Sequence, residues 1–292
     1  MVYSLMNDCL TVKISDTGAE LVSAKANKTG CEYLWQGDEK IWGEQAPLLF
    51  PICGRLPDAR YAWRGKNYEM KIHGFARESL FTARAEGTSS LVFSLASNEM
   101  TKAQYPFDFL LEVAYTLAEN RLATKLCVKN TGNEPLPAAI GLHPGFNVPF
   151  SSGLAFEDYY LDFENECSPD SFVFSGRYLM TGKKVPFDLE DGRILRLRRG
   201  LFEDSVFLDR TPGRVTLKSD KDNKSLTVVY PDFPYLGFWH APNCDAPFLC
   251  IEPWCGMPSY EAQSENLSAK PDMFRILPGL EKTVGCEFIF GI

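Results

Sequence analysis

Phe109-Leu-Leu-Glu-Val-Ala-Tyr-Thr-Leu117 and Leu122-Ala-Thr-Lys-Leu-Cys-Val-Lys129 decide the fold. In both, apolar side chains fall on every second residue, the period of a strand with one face in a core. Asn120-Arg121 separates the two, and Asn130-Thr-Gly-Asn133 follows the second, as turn residues should. The pattern extends outward in both directions. Cys9 to Ile14 alternates and stops at Ser15-Asp-Thr-Gly18; Glu20 to Ala26 turns at Asn27-Lys-Thr-Gly30. Tyr61 to Arg64 and Tyr68 to Ile72 flank Gly65-Lys-Asn67 as a hairpin, and Leu91 to Leu95 reads as a further strand. Beyond residue 190 the candidate strands are Arg193 to Arg198, Ser205 to Asp209, Arg214 to Lys218, Ser225 to Tyr230, Tyr235 to His240, Pro247 to Glu252 and Thr283 to Phe290. Helical periodicity is confined to Asn98 to Gln104. Many short strands with regular turns, and no linker or repeat, predict an all-β chain: a large antiparallel β-sandwich forming one domain over 1–292.

Composition excludes several classes of function. The 292-residue chain carries a net charge of −8, which disfavours general binding to nucleic acid or to an anionic membrane. Its first residues show no basic segment followed by an apolar run, and no apolar stretch is long enough to span a bilayer. Nine scattered cysteines read as reduced thiols, and the expected location is the cytoplasm.

Few residues stand out as chemistry. Ala138-Ala-Ile-Gly-Leu-His143-Pro-Gly-Phe-Asn147 ends an apolar strand on an imidazole beside a forced turn. His143 is thus either a strand-closing hydrogen-bond group or a general acid or base on a rigid strand end. His73 in Ile72-His73-Gly-Phe repeats the pattern, with a turn histidine as the alternative. Glu252 closes the apolar run Phe248-Leu-Cys-Ile251, and Pro253 is expected to end the strand. Partial desolvation there would raise its pKa towards the range of a base; otherwise it is a surface carboxylate. Arg55, delivered by Leu48-Leu-Phe-Pro-Ile-Cys-Gly54, reads as a guanidinium aimed into a pocket or as a surface ion pair. Asp204 is a carboxylate opening a strand, or a solvated turn residue. Phe50, Phe75, Phe146, Trp239 and Trp254 could stack on a sugar or simply fill the core. Cys250 and Cys255 lack Cys-x-x-Cys spacing, and no nucleotide loop or serine-hydrolase elbow occurs. The basic run from Arg193 to Arg199 reads as a solvated strand face, or as a phosphate contact.

Four short segments occur in one order along the chain: Leu49-Phe-Pro-Ile-Cys-Gly-Arg55, His73-Gly-Phe, Gly141-Leu-His143-Pro-Gly-Phe-Asn147 and Cys250-Ile-Glu252-Pro-Trp-Cys-Gly256. Together they resemble the aldose 1-epimerase (galactose mutarotase) family, in particular its LacX-like bacterial branch. The resemblance implies a galactose mutarotase-like supersandwich with an open cleft, no metal and no organic cofactor. It implies His143 as general acid, Glu252 as general base, Arg55 and His73 as substrate-binding residues, and Asp204 as a sugar-binding aspartate. The implied partner is a small-molecule aldohexose, and the implied assembly a monomer or homodimer. Gly54-Arg55 stands where well-studied mutarotases tend to have Asn-Arg, and Gly145 where they tend to have an aromatic, departures that bear on the preferred sugar. The implied chemistry opens the ring, with base and acid on opposite sides of it, and recloses it on the other face. Two alternatives accompany this reading. One is a hexose-6-phosphate 1-epimerase, using Arg193, Arg196, Arg198 and Arg199. The other is a non-catalytic sugar-binding or regulatory protein.

Overall fold

A computed structural model of the chain describes residues 1–202, 204–261 and 266–292. Its frame is a nine-stranded antiparallel sheet and an eight-stranded antiparallel sheet. The strands Phe109–Ala118 and Arg121–Asn130 pair over their whole lengths in the nine-stranded sheet, and Arg121–Asn130 also pairs with Glu281–Gly291. Burial alternates residue by residue along all three, so their inward side chains form one wall of the core. The other wall is the inner face of the eight-stranded sheet, with Leu236, Phe238, Leu249 and Ile251 in the same apolar cluster as Val284 and Phe288. Phe146 meets Phe288 across the gap at a ring separation of 5.6 Å. A three-stranded sheet, Val2–Met6, Leu10–Ser15 and Leu21–Ala26, is tied to the nine-stranded sheet through a hydrogen bond from Tyr115 Oη to the Ala19 carbonyl.

The fold is the antiparallel sandwich that the alternation predicts, with differences that have local causes. The hairpin near residue 65 turns at Arg64-Gly65, earlier than expected: Trp63 faces Lys66, and both turn residues take left-handed φ (49° and 74°), the geometry that suits a two-residue turn to strand twist. The strands absent from the sequence reading include Val2–Met6, Thr82–Glu86, Tyr160–Asp162, Asp170–Phe174, Met180–Pro186 and Phe274–Ile276. Met180–Pro186 is exposed at every residue after its first and lies at the end of the eight-stranded sheet, so no core face imprints a period of two on it. The expected helical turn is present as Glu99–Gln104, begun by Asn98, whose side chain accepts from the Thr101 amide. The basic run contributes only Ile194–Arg196, an edge strand of the nine-stranded sheet. No helix among the described residues is long and apolar enough to cross a membrane.

Candidate active site

The site is built on Phe248–Trp254, a strand buried along its whole length. Side chains alternate between faces. Leu249 and Ile251 enter the sandwich core, while Phe248, Cys250 and Trp254 belong to two apolar clusters on the opposite side of the sheet. Glu252 projects on that second side, between Cys250 and Trp254. Burial on both faces explains the unbroken apolar run in the sequence.

The strand does not stop at Pro253 as expected, but runs on to Trp254. One of its edges shows why a proline fits. The Ile251 amide donates to the Pro144 carbonyl at 3.2 Å and the Cys255 amide to the Ile140 carbonyl at 2.8 Å. Residue 253 faces the same edge, and proline has no N–H to give. The missing rung coincides with the place where the neighbouring chain leaves the ladder between Gly141–Leu142 and Gly145–Asn147. His143 sits in that interruption. Its amide is held by the Pro47 carbonyl at 3.2 Å, and its Nε2 lies 3.2 Å from Glu252 Oε2.

His73 approaches from a separate turn. Its φ is +66°, and Gly74 follows at +74°. A Cβ on Gly74 would stand 2.2 Å from the Phe50 carbonyl oxygen, so only glycine allows this close approach. The Gly54 amide donates to His73 Nδ1 at 3.1 Å, which makes Nδ1 the acceptor and leaves Nε2 carrying the hydrogen. The His73 and His143 rings meet edge to face, 5.6 Å apart.

His143, Glu252 and His73 line a cavity of about 340 Å³ together with Trp42, Glu44, Arg55, Arg77, Trp239 and Trp254. Several polar atoms of these residues are buried without a hydrogen-bond partner: both carboxylate oxygens of Glu252, Nδ1 of His143 and Nε1 of Trp254. Leaving such groups unpaired costs on the order of 1–3 kcal/mol each, so their concentration on one cavity marks it as built for a polar ligand. Desolvation dominates the electrostatics. It raises the Glu252 carboxyl well above its ordinary value, and lowers the His143 imidazole to about 3. His73 is also lowered, by burial and then by the neighbouring His143. Before ligand binds, burial favours the neutral imidazole and the protonated carboxyl.

The structure brings His143, Glu252, His73 and Arg55 to one cavity, though the first two are in contact and not on opposite sides of a ring-sized gap. Arg55 is at the mouth, exposed, 5.7 Å from the Tyr178 ring centre. Asp204 is exposed in a turn and does not line the cavity; its neighbour Ser205 does. Among the aromatics, Trp239 and Trp254 line the wall, while Phe50, Phe75 and Phe146 are core. The basic run lies elsewhere: Arg193 pairs with Asp162 at 2.6 Å and Arg196 with Glu190 at 2.8 Å. Sequence reading passed over Trp42, Glu44 and Arg77. The Arg77 guanidinium bonds Glu44 at 3.1 Å, and Glu44 is the one cavity carboxylate besides Glu252 among the described residues. Glu44 sits in a loop and Arg77 in a single helical turn, Ala76–Glu78, both too short to show a period. The only available signal was that Arg77 follows His73 by four residues.

A family model described as aldose 1-epimerase matches residues 1–276. The protein LacX, chromosomal, of Lactococcus lactis subsp. lactis is 38% identical over 289 residues, covering 95% of each chain. Among solved structures, the galactose mutarotase related enzyme from Lactobacillus acidophilus superposes with a TM-score of 0.95 at 32% identity, covering 99% of this chain and 97% of that one. A galactose mutarotase-like protein from Lactobacillus casei gives 0.92 at 28% identity, over 99% and 100%. With the sandwich, the ordered motifs and these matches in agreement, the chain belongs to the aldose 1-epimerase family.

Proposed function

We propose that this protein interconverts the α and β anomers of an aldohexose by acid–base ring opening and reclosure. The observation that carries the proposal is the contact pair His143–Glu252, with its unpartnered buried atoms turned to a sugar-sized cavity. In a pyranose, O1 and O5 are bonded to the same carbon, so two groups in contact can serve both from one edge of the ring. Hydroxyl donors from the sugar would satisfy the Glu252 oxygens and favour its ionised form, passing the carboxyl proton to the adjacent His143. Glu252 then takes the O1 proton while His143 protonates O5. The C1–O5 bond breaks, O1 becomes the aldehyde oxygen, and rotation about C1–C2 presents the other carbonyl face. On closure His143 takes back the O5 proton and Glu252 returns one to O1. Each group contributes on the order of 10²–10⁴-fold.

His73 Nε2–H and Arg55 are donors for sugar oxygens. Glu44, steadied by Arg77, is better placed than Asp204 to hold a hydroxyl. Trp239, Trp254 and Trp42 offer apolar faces for the C–H side of the ring. Polarimetry on freshly dissolved α-glucose and α-galactose tests the proposal: the approach to rotational equilibrium accelerates in proportion to enzyme. A protein that binds the sugar without accelerating it would be a binding protein instead.

One observation favours a phosphorylated hexose as a second reading. A recess of about 600 Å³ adjoins the cavity, shares Arg55, Ile72, Arg77 and Tyr178 with it, and adds Lys71 and Arg177. Lys71 pairs with Glu78 and Arg177 with Asp58, so an anionic substituent would compete with these carboxylates. Inhibition of glucose mutarotation by glucose 6-phosphate, well below the KM for glucose, would support this reading over the neutral sugar.

A further inference from the structure

One residue beside the catalytic pair has no part in sugar chemistry: Cys250. It lies two positions before Glu252, on the same face of the same strand, fully buried and adjacent in register to Trp239 and Gly145. It does not line the cavity. Yet its Sγ, a carboxylate oxygen of Glu252 and a ring nitrogen of His143 all lie within 4.8 Å of one another. Among the described residues, no other trio of histidine, cysteine and acidic donors is so close.

We propose that His143, Cys250 and Glu252 form a binding site for a borderline-soft divalent cation, Zn²⁺ above all, and that its occupation shuts the catalytic pair off from sugar. The donor set is one imidazole, one thiolate and one carboxylate. Three such protein ligands with a fourth position open is the composition of non-structural zinc sites, and thiolate excludes hard ions such as Mg²⁺. Two negative ligands and a neutral imidazole cancel the charge of a divalent ion, so the buried site is neutral when filled. Both Glu252 oxygens and His143 Nδ1 are buried with no hydrogen-bond partner, so ligation removes no existing hydrogen bond from them. Drawing the three donors onto one ion needs only side-chain adjustment, because Cys250 and Glu252 share one strand face and His143 stands in the break of the next strand. The cavity supplies the entry path to the His143 and Glu252 side. The inhibitory consequence rests on the proposed function; the binding does not.

The experiment compares Zn²⁺ affinity, read by competition with a chromogenic chelator, with Zn²⁺ inhibition of mutarotation, in the wild type and in Cys250→Ala, Cys250→Val and Cys244→Ser. Cys244 is an exposed thiol outside the trio and serves as the control. Loss of an outer partner of a metal ligand already weakens binding by about 10–100-fold. Loss of Cys250 should therefore weaken both affinity and inhibition at least about tenfold, with Cys244→Ser unchanged and chelation restoring activity. Should both Cys250 variants misfold, His143→Ala removes a donor at the cavity wall and must weaken binding comparably. Wild-type affinity in the Cys250 variants, or no Zn²⁺ binding by the wild type, overturns the site. Binding that depends on Cys250 in a protein without mutarotase activity would sustain the site while refuting the proposed function.

Discussion

Replacing Glu252 by glutamine separates activity from stability, because the two should move in opposite directions. Gln keeps the shape of the side chain and removes its proton chemistry. With the base gone, mutarotation falls by about 10²–10⁴-fold, or about 2.7–5.5 kcal/mol in the barrier. Stability follows from linkage. Burial holds the folded-state pKa of Glu252 above its ordinary value of 4.5. Below 4.5 the carboxyl is protonated in both states and its protonation costs nothing. As pH rises past 4.5 the unfolded chain ionises and the folded chain does not, so stability is lost until pH passes the raised folded value. Inside that window the loss is about 1.4 kcal/mol per pH unit, one proton's worth. Glutamine is free of it. His73 titrates in both proteins and cancels, and well above pH 6.5 His143 is neutral folded or unfolded and adds nothing to the slope, which is therefore read there. Chemical denaturation of the two proteins at intervals from pH 4 upward should show the glutamine variant gaining on the wild type with that slope. A difference flat in pH would refute the desolvated carboxylate, and full mutarotation by the variant would refute its role as base.

The pH profile of kcat/KM should lack an acid limb near 6.5, where an ordinary imidazole titrates, because burial lowers His143 to about 3; a midpoint near 6.5 would contradict the buried neutral pair. Loss of activity is expected on the alkaline side instead, as the pair gives up its single proton. Glu44→Gln should raise KM for the sugar about tenfold or more with kcat nearly retained, a lost charged hydrogen bond being worth about 1.5–3 kcal/mol, whereas Asp204→Asn should change neither. Equal effects from the two variants would return the hydroxyl-holding role to Asp204. Gly74→Ala should lower stability by more than about 1 kcal/mol, since its Cβ would run into the Phe50 carbonyl at a left-handed φ, and should depress activity further by displacing His73. Equilibrium denaturation paired with polarimetry checks both parts.

The sandwich was readable because its long strands bury one face, and a period of two is the imprint of a single buried face. Where burial is absent the imprint is too: Met180–Pro186 lies at one margin of the eight-stranded sheet, exposed beyond its first residue, and carries no alternation. Where burial is double the imprint also changes, and Phe248–Trp254 shows an apolar run in place of alternation. His143 and Glu252 were legible because each interrupts an apolar strand, and a polar residue there needs a reason. Glu44 and Arg77 interrupt nothing. They reach the cavity through the Gly43–Gln45 loop and a single helical turn, Ala76–Glu78, and no local rule assigns a direction to side chains in such segments. Asp204 shows the converse limit, since one residue's shift along a turn replaces a carboxylate at the cavity by the hydroxyl of Ser205.

The strand that carries Glu252 has a consequence for motion. Its alternate side chains are the core of the sandwich, so the floor of the site cannot open without opening the protein. Amide hydrogens of Ile251 and Glu252 should therefore exchange only through global unfolding, on the slowest timescale the molecule has. Entry and release of ligand then fall to the rim. Tyr178 and Arg55 are exposed there, and Trp42 and Glu44 belong to a segment held mainly by turns. The proposed chemistry thus stands on a fully buried strand, while ligand passes a rim of turns and exposed side chains. Sequence drift in that rim could alter ligand access without disturbing the two groups proposed to move the proton.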